Sequence, residues 1–258
     1  MKFKSFDIPA KQFTLYPLGD WHYGSRQCDV KFIKKVIAEI QDNPDAKWVG
    51  MGDLIENAIL GSKSDIYLQT ISPKEQIEVV CDLLAPIKDK GLFLVAGNHE
   101  ARTMRAVGLY PEEIISSKLW IPFVGHSCLA VFDLEKAKTP RSFSCYFHHN
   151  RGGGYTAGGK VNRSLRLRDI APTVDATFSG HFHTTSRIPE TWYEPGYGQV
   201  LKKTGYDYII GSALTYDESY AEELAKPPAT VEHIKVTFIG NNRGDTVCRQ
   251  QIYEVITP

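Results

Sequence analysis

The chain has 258 residues, 42% of them hydrophobic and 23% charged, which is ordinary for a globular protein and long enough to bury one full core. Thirty basic residues balance thirty acidic ones, so there is no global pull toward nucleic acid or an anionic membrane, only room for a local patch. No apolar run approaches the ~20 residues that span a bilayer, the lysine-bearing start lacks the apolar stretch of a signal peptide, and the five scattered cysteines include no CxxC pair. Reduced thiols in a cytoplasmic protein, with no membrane partner, are the expectation.

In chain order, QFTLYPLGD reads as a strand running into a polar tip. Residues 29–41 follow with Val30, Ile33, Val36, Ile37 and Ile40 at helical spacing. KWVGMGD is a second short strand. Ser72, Pro73 and Glu75 then give an N-cap, a first-turn proline and a capping-box acid, predicting a helix from there to about residue 90. GLFLVAGNHE is a third apolar strand with a polar tip. Strand, helix, strand, helix, strand predicts an α/β chain with a parallel sheet. The second half is richer in strands: SCLAVFDL, RSFSCYFHH, VDATFSG, YDYIIGSA, EHIKVTFIG and TVCRQQIYEV, with one basic helical stretch at 160–169. NRGGGYTAGGK, residues 150–160, carries five glycines and is expected to be a loop. It lacks the GK[ST] of a P-loop, and its glycines suit a mobile rim over a site. A second sheet packed on the first would hold all these strands in one domain spanning 1–258.

The strand ends share a pattern: Gly19-Asp20-Trp21-His22, Gly52-Asp53, Gly97-Asn98-His99-Glu100, Phe147-His148-His149-Asn150 and Gly180-His181-Phe182-His183. Ligands of open α/β sheets sit outside the carboxyl ends of the strands, and only His126 and His233 among the eight histidines fall elsewhere. Singly, each residue reads as a turn or cap former; together they form a set. Imidazole, carboxylate and amide oxygen suit borderline divalent ions such as Mn, Fe, Zn, Ni or Co rather than a thiolate site. Asp20, His22, Asp53, Asn98, one of His148 and His149, His181 and His183 make seven ligands. That is too many for one ion with an open position and fits two ions sharing a carboxylate.

The order DxH, GD, GNHE, H, GHxH, spanning Asp20 to His183, resembles the calcineurin-like metallophosphoesterase superfamily. The resemblance implies an αββα sandwich, two mixed sheets flanked by helices, with the metal site at the carboxyl ends of the strands. It places Asp20, His22 and His183 on one ion, Asn98, His181 and one histidine of the 148–149 pair on the other, and Asp53 between them. Within the pair it favours His148, which stands where the family's HxP histidine stands, although Asn150 replaces the proline. It implies two divalent ions, manganese foremost, a bridging hydroxide as nucleophile fixed by Asp53, and His99 as the general acid, with Glu100 orienting or solvating it.

DWHYG is similar to the first motif of the repair-exonuclease branch, and GDLIENA lacks the arginine of the protein-phosphatase branch, offering Asn57 instead. The expected activity is therefore a phosphodiesterase acting on a phosphoester, nucleotide or nucleic acid. A DNA exo- or endonuclease and a phosphomonoesterase stand as alternatives, and a non-catalytic scaffold as a remote one, since every ligand is present. Lys160, Arg163, Arg166 and Arg168 form a basic run in which Arg163 and Arg166 share a helix face, and with His149 they are the candidate substrate contacts.

Overall fold

The computed structural model describes all residues except 63, 136–141, 153–155, 217–221, 223–229 and 244–245, and only the backbone of 241–248. The first half runs β1 (Lys2–Ile8), β2 (Gln12–Leu18), α1 (Val30–Asp42), β3 (Ala46–Gly50), α2 (Pro73–Leu84), β4 (Gly91–Leu94), α3 (Glu100–Val107) and α4 (Pro111–Leu119). The second runs β5 (Ser127–Leu134), β6 (Ser142–His148), α5 (Ala157–Ile170), β7 (Ala176–Ser179), β8 (Thr185–Gly196), β9 (Gln199–Ser212), β10 (Glu232–Arg243) and β11 (Thr246–Ile256).

Side chains of β2 divide by parity, as a pleated strand requires. Phe13 and Leu15 enter one hydrophobic core, Tyr16 and Leu18 another. β2, β3 and β4 pair in parallel, and parallel strands need cover on both faces. The Tyr16 face packs under α1, α2 and α4 through Ile33, Val36, Val80, Leu84 and Ile115. The Phe13 face meets a second mixed sheet, built on β1, β5, β6, β7, β9 and β8. Phe13 approaches Phe132 of β5 at 5.0 Å between ring centroids, and Phe238 of β10 approaches Phe143 of β6 at 5.0 Å. α5 covers the outside of that sheet through Leu167, against Tyr146 and Val174.

The layers are therefore helices, mixed sheet, mixed sheet, helix, the expected α/β sandwich. The two sheets are also continuous: β9 and β10 pair over Glu232–Ser212 and His233–Gly211, curling the strands into one eleven-stranded sheet. α2 stops at Leu84, short of residue 90, because Pro86 has no N–H for the next helical bond; the chain continues as a 3-10 turn over Ala85–Lys90. The glycine stretch is not a loop throughout. Thr156 accepts the Gly159 N–H as an N-cap, so α5 starts at Ala157 and takes in two of the five glycines, while 153–155 fall outside the described residues. No helix among the described residues is long and apolar enough to cross a membrane.

Candidate metal centre

Asp20 and His22 follow β2, Asp53 follows β3, Asn98 and His99 follow β4, His149 follows β6, and His181 and His183 follow β7. Their ligand atoms fall into three overlapping groups, each within 4.8 Å: Asp20–His22–His183, His22–Asp53–His99 and Asp53–His149–His181. Asn98 joins the last group, with its Oδ1 3.0 Å from His149 Nε2. Asp53 thus stands between two imidazole sets.

The backbone is bent hard to achieve this. Asp20, His22, Asp53, His181 and His183 all have φ between 47° and 74°, a left-handed conformation costing on the order of 1–3 kcal/mol for each non-glycine residue. Glycines let the loops close: a Cβ on Gly97 would run into the Asp53 backbone nitrogen, and one on Gly180 would lie 2.8 Å from Asp20 Oδ2. Hydrogen bonds hold the result. Asp20 Oδ2 accepts from His181 N at 2.7 Å and Asp53 Oδ1 accepts from His99 N at 2.8 Å.

Neighbouring groups aim the ligands. His149 Nδ1 donates to Met51 O at 2.7 Å, which turns its Nε2 toward Asp53 Oδ2 at 3.1 Å. His181 Nε2 donates to Gly152 O at 3.0 Å, leaving Nδ1 free. Glu56 Oε2 lies 3.2 Å from His22 Nδ1, so His22 Nε2 turns inward, 3.1 Å from His183 Nε2. In metal proteins, contacts of this kind orient ligating histidines and tune their basicity.

The donor set fits divalent ions. Asp20 Oδ1 and Asp53 Oδ2 are buried without a hydrogen-bond partner, a costly arrangement unless a cation meets them. Burial alone would favour a neutral Asp53, yet His149, His99 and His22 hold its carboxyl well below the ordinary range. Burial likewise disfavours an imidazolium at His149, but Asp53, Asp20 and Glu100 outweigh it and push His149 up to about 10. The centre is negative enough to draw a proton onto a buried ring, and a metal ion answers the same field.

Three expected roles are corrected. His148, expected as a ligand, faces away: its Nδ1 accepts from Asn150 N at 2.7 Å and its ring lines a neighbouring cleft. His149, expected as a substrate contact, is 2% exposed, and its Nε2 faces Asp53 and Asn98 within the candidate ligand group. Successive strand residues point to opposite sides, so a one-residue change of register exchanges the two. Glu100 does not orient His99. Its carboxylate accepts from Asp53 N at 2.9 Å and Ile55 N at 3.2 Å, bracing the bridging loop from below. His99 instead donates from Nδ1 to Glu56 O at 2.8 Å and accepts at Nε2 from Arg102 Nη2 at 2.9 Å. Burial first, then His22 and Arg102, lower His99 to about 4 against Asp53 and Glu56. Arg163 and Arg166 line the cleft beside His148, whereas Arg168 of the same run turns inward to Asp207 at 2.9 Å.

Glu56, Arg102, Glu112 and Met51 O are parts of the site that the motifs do not reveal. Glu112 is fully buried and accepts from Gly97 N at 2.8 Å, holding the Asn98 loop from an adjacent helix. Glu56 stands three residues after Asp53 and Arg102 three after His99, and this place at a motif edge is the only trace either leaves in the sequence.

Buried imidazoles and carboxylates at the strand ends of a curled mixed sheet define a metal-centre protein of the α/β class. A family model for calcineurin-like phosphoesterases matches residues 14–212, and the chain belongs to that family. Membership supports a phosphoric ester hydrolase with a dinuclear metal site. Among solved structures it is similar to the calcineurin-like phosphoesterase YfkN from Bacillus subtilis, at 12% identity and TM-score 0.49, over 96% of this chain and 91% of that one. It is also similar to a predicted phosphoesterase from Streptococcus pneumoniae TIGR4, at 10% identity and TM-score 0.37, over 94% and 98%. A third is Vacuolar Protein Sorting 29 from Cryptosporidium parvum, at 12% identity and TM-score 0.37, over 96% and 99%. No curated protein matches the sequence.

Proposed function

We propose that the protein is a binuclear metal-dependent phosphodiesterase. The observation that carries this reading is Asp53, a fully buried carboxylate shared between the His22–His99 and His149–His181 groups. Asp20, His22 and His183 would hold one ion; Asn98, His149 and His181 the other; Asp53 both. Two such ions neutralise charge on the phosphoryl oxygens and supply an activated water for in-line displacement at phosphorus.

The chain's own groups do the rest. Glu56, Met51 O and Gly152 O keep the imidazoles in their ligating tautomers. Glu100 and Glu112 hold the Asp53 and Asn98 loops at fixed spacing. His99 borders the centre, with Nε2 4.0 Å from Asp53 Oδ2, and is the group placed to give a proton to the leaving oxygen. Its Nε2 accepts from Arg102, so the acid role requires the guanidinium to move onto substrate and the ring to take up a proton. Four free thiols, Cys28, Cys81, Cys128 and Cys145, support a cytoplasmic setting.

The test is hydrolysis of bis-p-nitrophenyl phosphate against p-nitrophenyl phosphate after chelation and after restoring Mn, Ni or Co. Diester cleavage that vanishes with chelator and returns with metal is expected. Faster cleavage of the monoester, or full activity without metal, would overturn the reading. His99→Ala should cost roughly a hundredfold to ten-thousandfold with a poor leaving group and much less with p-nitrophenolate. Equal slowing of both would make His99 a positioning residue.

A further inference from the structure

Beside the metal centre lies an open cleft of about 450 Å³ lined by His126, His148, Arg151, Arg163 and Arg166. Leu167 and Ile170 of α5 are its apolar portion. Arg163 and Arg166 stand three residues apart on α5 and so share a face. Arg151 comes from the segment after β6. Among the described residues, none of the three guanidiniums pairs with a carboxylate; Arg163 Nε donates to Arg151 O at 2.9 Å, which leaves its two terminal nitrogens uncommitted. His148 adds a donor, since its Nδ1 accepts from Asn150 N and its proton sits on Nε2.

The cleft and the centre share a wall. His148 lines one and His149 the other, and Gly152, next to Arg151, accepts the proton of His181. Arg163 packs on the same glycine: its Nε would lie 3.3 Å from a Cβ there. Any phosphoester seated at the metal ligands therefore has its continuation bordered by three unpaired arginines, whose planar forks match phosphate oxygens two at a time.

We propose that this cleft is a second phosphate subsite, holding the phosphate next to the scissile one. The substrate is then one that carries phosphates in a row, either along a nucleic-acid strand or in a nucleotide polyphosphate, and not an isolated ester. The assignment of which phosphate is scissile rests on the phosphodiesterase reading; the subsite itself does not, because no ligand of the centre takes part in it.

Binding should therefore survive metal removal. With the full chain held in chelator, a short single-stranded oligonucleotide and a nucleoside triphosphate are the two probes, and Arg151→Gln, Arg166→Gln and their combination are the variants. Binding of at least one probe is expected, weakened about tenfold or more in the double variant. For the oligonucleotide, the slope of log affinity against log salt should fall by roughly 0.7 for each phosphate the arginines no longer neutralise. Binding of the oligonucleotide alone assigns the subsite to a strand, and of the triphosphate alone to a nucleotide. Neither probe binding, or both binding the double variant as tightly as the unchanged protein, would overturn the proposal. Absence of bis-p-nitrophenyl phosphate hydrolysis after metal is restored, with probe binding intact, would instead count only against the phosphodiesterase reading.

Discussion

His148 and His149 are neighbours in the chain and opposites in environment. Burial, then the neighbouring His149, His126 and Arg151, lower His148 to about 4. Burial acts the same way on His149, but Asp53 and Asp20 reverse it and raise that ring to about 10. One step along the end of β6 therefore crosses from an arginine-lined, solvent-open cleft to a buried cluster of carboxylates and imidazoles. On the proposed reading a phosphoester would use both: negative ligands to hold cations at the reacting phosphorus, and fixed positive charge for the phosphates around it.

The contrast can be broken most severely at Asp53. Asp53→Asn should lower hydrolysis by more than the tenfold to hundredfold typical of a supporting group, and should reduce occupancy of both ions. Metal analysis and rate together check this; a worse loss from Asp20→Asn would move the bridging role. The two histidines come next. His149→Ala should strip one ion and at least about ten- to a hundredfold of activity, while His148→Ala should leave metal content at the level of the unchanged protein. The reverse result would restore the expected register. A smaller effect is due at Glu56. Glu56→Gln keeps the shape but removes the charge beside His22, and metal affinity should weaken roughly tenfold or somewhat more in a calorimetric titration. The mildest perturbation leaves the sequence alone. Saturating a chelator-stripped sample at about a hundred times the dissociation constant should add about 2.7 kcal/mol, or roughly 5–10 °C in Tm for a chain of this size. A Tm unmoved by metal would mean that the buried carboxylates are satisfied some other way.

How far these two regions are legible in the sequence differs for physical reasons. The candidate metal centre announces itself, because Asp, Asn and His at strand ends are local features and the strands β2, β3 and β4 are apolar runs buried on both faces. The choice between His148 and His149 is not local. It depends on which side of β6 faces the opposite sheet: Phe147 enters the core between the sheets and Tyr146 packs toward α5, so by alternation His149 falls on the inner side and His148 on the α5 side. Glu56, Arg102 and Glu112 are hidden for a related reason: each acts across a turn or between helices on a partner distant in sequence. β1 and β8 give no strand signal. β1 is a lysine-bearing edge, and β8 carries Pro189 and Pro195 with half-exposed side chains along its length, so neither offers a buried apolar run. The arginine cleft is half legible, since helical spacing pairs Arg163 with Arg166 but cannot separate them from Arg168, which Asp207 turns inward.

The central claim is that Asp53 joins two ions in one centre. Titration of manganese into the chelator-stripped protein, read as bound equivalents per chain alongside hydrolysis of bis-p-nitrophenyl phosphate, tests it most directly. The account predicts two equivalents, with hydrolysis developing only as the second binds and both sites weakened in Asp53→Asn. Full hydrolysis at one equivalent, or two equivalents held as tightly by Asp53→Asn as by the unchanged chain, would contradict it.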